Sequence, residues 1–397
     1  MEIPKDAKME EEWKKKLKED LTKIMELKDP AQKTNARLHR VFNEIVKKNP
    51  KDNIVTSSLS VYLCFAIIAE ALSGKSLVEM QAIFGYLEGK VLDEEQHKSL
   101  KGLLDDTNTD IVIKIFNAIY TNKNIKIKPE YTKQIEEKYK AHAESLDFSL
   151  KETVDTINQE INDATDGLVT KAIKNIAPSA FAIIANSIYF KGDWDHKFNK
   201  DSNVEMDFTK ADKSKKKVEF LTHSQTSAFI KLDGKTSYLA MKYKNHNVKF
   251  VIEMPKDGIL TSSDSKEVLE AALGKESTCA VFVPKFTSQF SLDMIPILKE
   301  VGIAKVFAAS KEFTKMTEHQ MCITSVHSSA CITVDEEGTV ASMFTIVVEE
   351  GETSSGVQIP TFSADRPFFF HIVDCKNKFI LFSGALQDPQ YDGDDDA

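Results

Sequence analysis

The spacing of apolar positions changes character along the chain. Over residues 8–28, Met9, Trp13, Leu17, Leu21, Ile24 and Met25 recur at helical intervals among mostly charged neighbours. Such a helix either meets a partner or a membrane surface, or packs lightly on the domain with a solvated face. Interspersed acidic residues dilute the basic face that membranes favour, which argues for packing. Asp29-Pro30 is expected to end it. Leu38, Val41, Phe42, Ile45 and Val46 space a second helix, stopped by Asn49-Pro50. Ser60–Ala71 is almost continuously apolar and long enough for a buried helix.

Strand signals begin near residue 110. Ile111–Phe116 and Ala118–Tyr120 are rich in β-branched and aromatic residues. Val154, Ile157 and Ile161 interrupt them with a helix over 150–165. Ala180–Phe190 is nearly unbroken apolar sequence, the pattern of a central strand covered on both faces. Further strands are predicted at Tyr238–Tyr243, Val248–Met254, Cys279–Phe286, Ile323–Val334, Phe368–Val373 and Phe379–Ser383. Short helices are expected at Lys266–Leu273 and Leu292–Glu300. Helices first and strands afterwards indicate an α+β fold with large mixed or antiparallel sheets rather than repeating βαβ units. No internal repeat is present.

Length adds less than the pattern. At about 150 residues per domain, 397 residues would make two or three domains. Gly 15 and Pro 11 are both low, however, and leave no obvious flexible linker. A net charge of −9 argues against non-specific nucleic-acid binding, which needs a basic face. The tail Tyr391–Ala397 is acidic. Five cysteines, with no CxxC spacing, read as buried free thiols. No apolar run is long enough to span a membrane, no secretory leader is visible at Met1–Lys8, and no Asn-x-Ser/Thr acceptor occurs. These facts fit the cytosol and fit a processed secreted chain equally.

Catalytic signatures are missing: no GxSxG, HExxH, Walker loop or GxGxxG, and no histidine pair at metal-ligand spacing. An enzyme would need a site assembled from non-local residues, and no cofactor is expected. The unusual stretch is 339–359, which runs 21 residues without proline. Its first half, TVASMFTIVV, is strand-competent, and EEGETSSG after it is turn-like. It reads either as a β-hairpin with a long tip or as a strand-competent segment held out as an exposed loop.

Several motifs together resemble the serpins. Asn53–Ser60 (NIVTSSLS), with Ser57 and Ser60, is similar to the family's shutter segment, and Val326-His327 fits its shutter histidine. AHAESLDF (141–148) resembles the stretch before the family's helix F, and Asn158, Thr165 and Gly167 fit that helix. Asn186–Trp194 (NSIYFKGDW) with Phe198 is similar to a family signature. Asp335–Thr339 fits the hinge of the reactive loop, made of Glu337, Gly338, Thr339, Val340 and Ala341. Phe362–Phe370 and Phe379–Gly384 fit the C-terminal signature. The resemblance covers about residues 31–390. It leaves 1–30 as a charged extension and 391–397 as an acidic tail.

That resemblance implies one large domain with three β-sheets, about nine helices and an exposed reactive-centre loop at about 338–360. It implies suicide-substrate inhibition: a target serine protease cleaves the loop, which inserts into the main sheet and traps the acyl-enzyme. Insertion buries every second residue. From Thr339 these are Ala341, Met343, Thr345 and Val347, none of them charged. Ser342, Met343 and Phe344 replace most of the family's alanines, and such bulk slows insertion and favours a non-inhibitory carrier, chaperone or storage role. Two counts place the scissile bond differently: Glu352–Thr353 forward from Gly338, and Ser354–Ser355 back from Pro367. A Glu there suits a basic specificity pocket, and Thr or Ser an elastase-like one; a chymotrypsin-like partner is the further alternative. Ser58 stands where the family has Pro, and Glu160 where it has Trp. Acidic residues over 87–105 predict no heparin activation. A monomer is expected, with no nucleic-acid or membrane partner. The residues ahead of the first core helix favour secretion.

Overall fold

Residues 7–85, 111–165, 167, 172–244, 247–339 and 359–391 are described by the computed structural model. Eight α-helices lie among them: α1 (Ala7–Glu26), α2 (Pro30–Lys48), α3 (Ser58–Ala71), α4 (Gly74–Phe84), α5 (Pro129–Tyr139), α6 (Glu152–Ala164), α7 (Ser265–Leu273) and α8 (Ile295–Val301). The stretch 87–105, on which the heparin expectation rests, falls outside the described residues.

A six-stranded sheet has the order β10 (Phe286–Asp293), β11 (Ile323–Val334), β12 (Gly338–Thr339), β4 (Ala182–Asp193), β2 (Ile111–Asn122) and β3 (His142–Leu146). The second hydrogen-bonded set has nine strands. These are β1 (Ile54–Thr56), β15 (Phe379–Leu386), β14 (Phe368–Asp374), β8 (Val248–Pro255), β7 (Thr236–Lys242), β6 (Lys215–Lys231), β9 (Ser277–Pro284) and β13 (Thr361–Ser363), with β5 (Val204–Thr209) on the flank of β6. The three expected sheets form two connected sets because β6 is shared. Its first part pairs with β5, its middle with β9, and Phe229–Lys231 with β7.

The apolar patterning explains this layering. α3 is buried along its whole length, as its unbroken apolar run requires. β4 pairs with β2 on one side and β11 on the other, and it is buried at all but its last positions. One face of β2 and β4 closes on the main core. Ala118, Tyr120, Ile183 and Ala185 on the other face are covered by Ile157 and Ile161 of α6.

Local readings needed correction at several places. Pro30 starts α2 rather than ending α1: it sits in the first turn, where a missing N–H costs nothing, and Asp29 Oδ1 caps Ala31 N at 2.9 Å. α1 itself belongs to the body, because Ile24 is buried and Leu17 and Leu21 pack on the main core. The strand over 279–286 is two, β9 and β10, and β10 occupies Leu292-Asp293, so α8 begins later than its apolar spacing implied. The 17-residue β6 carries no strand signal in KKKVEFLTHSQTSAFIK, since much of it is half-exposed and its polar residues face solvent. The cysteines are free thiols, but only Cys64, Cys279 and Cys331 are buried; Cys322 and Cys375 are half-buried.

Candidate functional site: the hinge and the gap beneath it

β4 and β11 run parallel and pair directly from Ile323↔Ala182 to Cys331↔Tyr189. Above that register they part, and β12 lies between them. Thr339 pairs antiparallel with Val334 on one side and Gly192 on the other; Gly338 faces Asp193. Two residues thus begin a strand whose continuation would separate β4 from β11.

The turn feeding β12 is built by Asp335. Its carboxylate accepts the backbone N–H groups of Glu337 at 3.0 Å and Gly338 at 3.1 Å. Burial raises its pKa to about 6 in spite of those two bonds. The Trp194 indole donates to Asp335 O at 2.9 Å, and the backbone N–H groups of Trp194 and Phe198 donate to Glu337 O and Glu336 O. Glu337 pairs with Lys197, and Glu336 with the buried Lys285 at 3.3 Å. Glycine is obligatory at 338 for lack of room: a Cβ there would lie 2.0 Å from Gly192 O. Thr339 is fully buried, its Oγ1 2.6 Å from the hydroxyl of Tyr243, whose ring stacks on Trp194 at 4.8 Å.

Halfway down the same sheet a buried polar network joins it to α3. Ser57 caps α3, accepting Ser60 N at 3.1 Å and donating to Leu381 O at 2.8 Å. Asn186 Nδ2 reaches Ser60 and Asn117 Oδ1, and Ser328 Oγ donates to Asn186 Oδ1 at 3.2 Å. The sequence placed His327 in this network. The register gives that place to Ser328, which pairs directly with Asn186. Successive side chains on a strand point to opposite faces, so His327 lies on the other face, half-buried, with Nε2 2.8 Å from Ser325 Oγ. Burial holds its pKa below the usual imidazole value.

Val340, Ala341 and the four scissile-bond candidates Glu352, Thr353, Ser354 and Ser355 lie outside the described residues. Of the remaining expected residues, Glu337, Gly338, Thr339 and Trp194 meet at the hinge. Ser57, Ser60 and Asn186 meet in the α3 network. Sequence reasoning missed Tyr243, Asn117, Ser328 and Lys285. A polar residue inside an apolar strand run, as Asn117 is, was the available signal; nothing local marks the others. Glu160, the departure noted in α6, accepts a hydrogen bond from the buried Tyr120 hydroxyl on β2. Among the described residues no cluster of three His, Cys, Asp or Glu could hold a metal ion.

The fold and this paired arrangement set Gly338-Thr339 between two parallel strands that pair directly below them. A family model described as serpin (serine protease inhibitor) matches residues 32–389, and the chain belongs to the serpin family. It is similar to an uncharacterized serpin-like protein of Methanosarcina acetivorans, 26% identical over 385 residues, covering 94% of this chain and 89% of that one. The fold is that of native tengpin, a thermophilic serpin, with a TM-score of 0.81 at 22% identity, covering 91% of this chain and 95% of that one. Thyroxine-binding globulin in complex with thyroxine superposes with a TM-score of 0.78 at 21% identity, covering 90% and 99%.

Proposed function

We propose that the protein inhibits a serine protease as a suicide substrate, through insertion of its cleaved reactive loop. The observation that carries this reading is the two-residue β12 wedged between two parallel strands that pair directly below it. A chain continuing from Thr339 would run antiparallel to both neighbours. It would replace one parallel ladder by two antiparallel ones, which are slightly stronger per residue. Thr339 faces the core, which sets the phase. Ala341, Met343, Thr345 and Val347 would follow it inward, and none would bury a charge.

In the reaction, the protease serine attacks the scissile carbonyl. The amine of the C-terminal fragment leaves, and an ester joins enzyme and loop. Insertion then competes with hydrolysis of that ester. Incubation with trypsin-, chymotrypsin- and elastase-like proteases, followed by denaturing gels, tests the proposal. A covalent complex stable in detergent is expected with at least one, and mass spectrometry of the released fragment locates the cleaved bond within 352–355. Cleavage without complex across the panel would overturn it.

The bulk of Ser342-Met343-Phe344 favours a second reading, a serpin that is cleaved without trapping and serves as a carrier, chaperone or storage protein. A carrier role draws on the likeness to thyroxine-binding globulin.

A further inference from the structure

The last described residues are held along their whole length. Asn53 Oδ1 accepts the N–H groups of Gln387 and Asp388 at 2.8 and 3.0 Å. The Asp388 carboxylate pairs with Lys210 at 2.7 Å and Lys216 at 3.0 Å, and Lys216 also donates to Pro389 O. Thr287 N donates to Gln390 O at 2.6 Å. The segment ends with the Tyr391 ring over the ammonium of Lys285, 4.1 Å from Nζ to the ring centroid. Lys285 is 4% exposed and lies in the link between β9 and β10. Its ammonium also faces Glu336 at 3.3 Å and Glu219 at 3.7 Å.

One cation therefore joins the C-terminal segment to the turn that launches the reactive loop. We propose that residues 388–391 form a strap that keeps the hinge closed, with Lys285 passing its hold from Tyr391 to Glu336. The ring contributes a cation–π contact and excludes water from the ammonium, and a drier site strengthens the ion pair with Glu336. Glu336 in turn fixes the turn backbone, since its carbonyl accepts Phe198 N and its carboxylate accepts Asn203 Nδ2 at 2.6 Å. Prising β4 from β11 pulls on this turn first, so loss of the ring lowers the barrier to opening. Trimming of the chain from its C-terminus as far as Tyr391 would release the hinge in the same way.

The test is amide hydrogen exchange on the full chain, resolved at Glu337, Gly338 and Thr339, with β14 as reference. The readout is hinge opening rather than trapping, so it fails or succeeds independently of the inhibitor proposal. Tyr391→Ala, and a chain ending at Gln390, should each speed exchange at the hinge about 3- to 10-fold and leave β14 unchanged. Tyr391→Phe should behave as the parent, because the ring is what acts. Glu336→Gln combined with Tyr391→Ala should exchange no faster than Glu336→Gln alone, since both act through Lys285. Unchanged hinge exchange in Tyr391→Ala, an equal rise in β14, a Tyr391→Phe that resembles the alanine variant, or additive effects in the double variant would each overturn the strap.

Discussion

The hydroxyl of Thr339 lies 2.6 Å from that of Tyr243, both residues fully buried, where β12 meets the ring stacked on Trp194. This contact fixes which face of the incoming loop turns inward. Thr339→Arg would bring a guanidinium into the buried space beside the Tyr243 hydroxyl. The variant should be cleaved as a substrate and form no detergent-stable complex. Thr339→Val keeps the shape and leaves Tyr243 without its partner, a loss of about 1–3 kcal/mol by urea unfolding. An arginine variant that still traps protease would refute insertion in this register.

The Asn186 network discriminates between neighbouring residues on β11. Ser328→Ala removes a donor to a buried amide oxygen and should cost about 1 kcal/mol in chemical denaturation. His327→Ala removes a half-buried ring on the opposite face and leaves that network intact. Asn186→Leu should cost more than either, because Ser60, Asn117 and Ser328 all lose a partner. Equal sensitivity of Asn186 contacts to the His327 and Ser328 substitutions would contradict the register.

Gly338 should tolerate no side chain. The carbonyl of Gly192 and the backbone of Asp193 occupy the space of its Cβ. Gly338→Ala is expected to expel β12 from the sheet, detectable as loss of hydrogen-exchange protection at Thr339. Retained protection would show that the β4 backbone can yield there.

Tyr120 and Glu160 tie α6 to β2. Burial, with the nearby carboxylate, raises the phenol pKa, so the hydroxyl stays protonated and donating across the physiological range. Tyr120→Phe leaves Glu160 without this donor and should lower stability by about 1–2 kcal/mol. Glu160→Gln, which can still accept, should lose less. The reverse order in thermal or urea unfolding would count against the bond.

Acid lability should come from two buried histidines. The rings of His39 on α2 and His371 on β14 lie 5.5 Å apart, tilted by 39°. Burial lowers each pKa from 6.5 to about 3, with His371 adding repulsion at His39. The unfolded chain binds these protons at higher pH than the folded one. Stability is therefore complete above about pH 6.5 and is lost as pH falls towards 3. Glu253 acts in the opposite sense: burial raises its pKa to about 7 from 4.5, so its contribution is complete below 4.5 and lost as pH rises to 7. Asp335, raised to about 6 from 3.8, acts like Glu253, so the two carboxyls offset the two histidines down to about pH 4.5; below that the histidine loss prevails, and urea midpoints should fall between pH 4.5 and 3. His39→Gln should flatten that fall; a flat parent profile would show that neither imidazole stays neutral when folded.

How much of this was legible in the residues differs by feature. The period of the apolar positions determined α3, β2, β4, β8 and β14, because each has a face, or its whole surface, committed to the core. The hinge motif Asp335–Thr339 and the NSIYFKGDW run could be recognised. The long strand β6 could not be recognised, since its few buried apolar residues, Val218, Phe220, Leu221 and Ala228, are interrupted by polar ones and the strand is held by pairing with β5, β9 and β7. The choice of Ser328 over His327 rests on a one-residue register between β4 and β11, strands joined by sequence separated by more than a hundred residues. The meeting of Tyr391, Lys285 and Glu336 has the same origin. Side-chain period is local and can be read along a chain; pairing across strands is a balance of distant contacts and exists only once the sheet has closed.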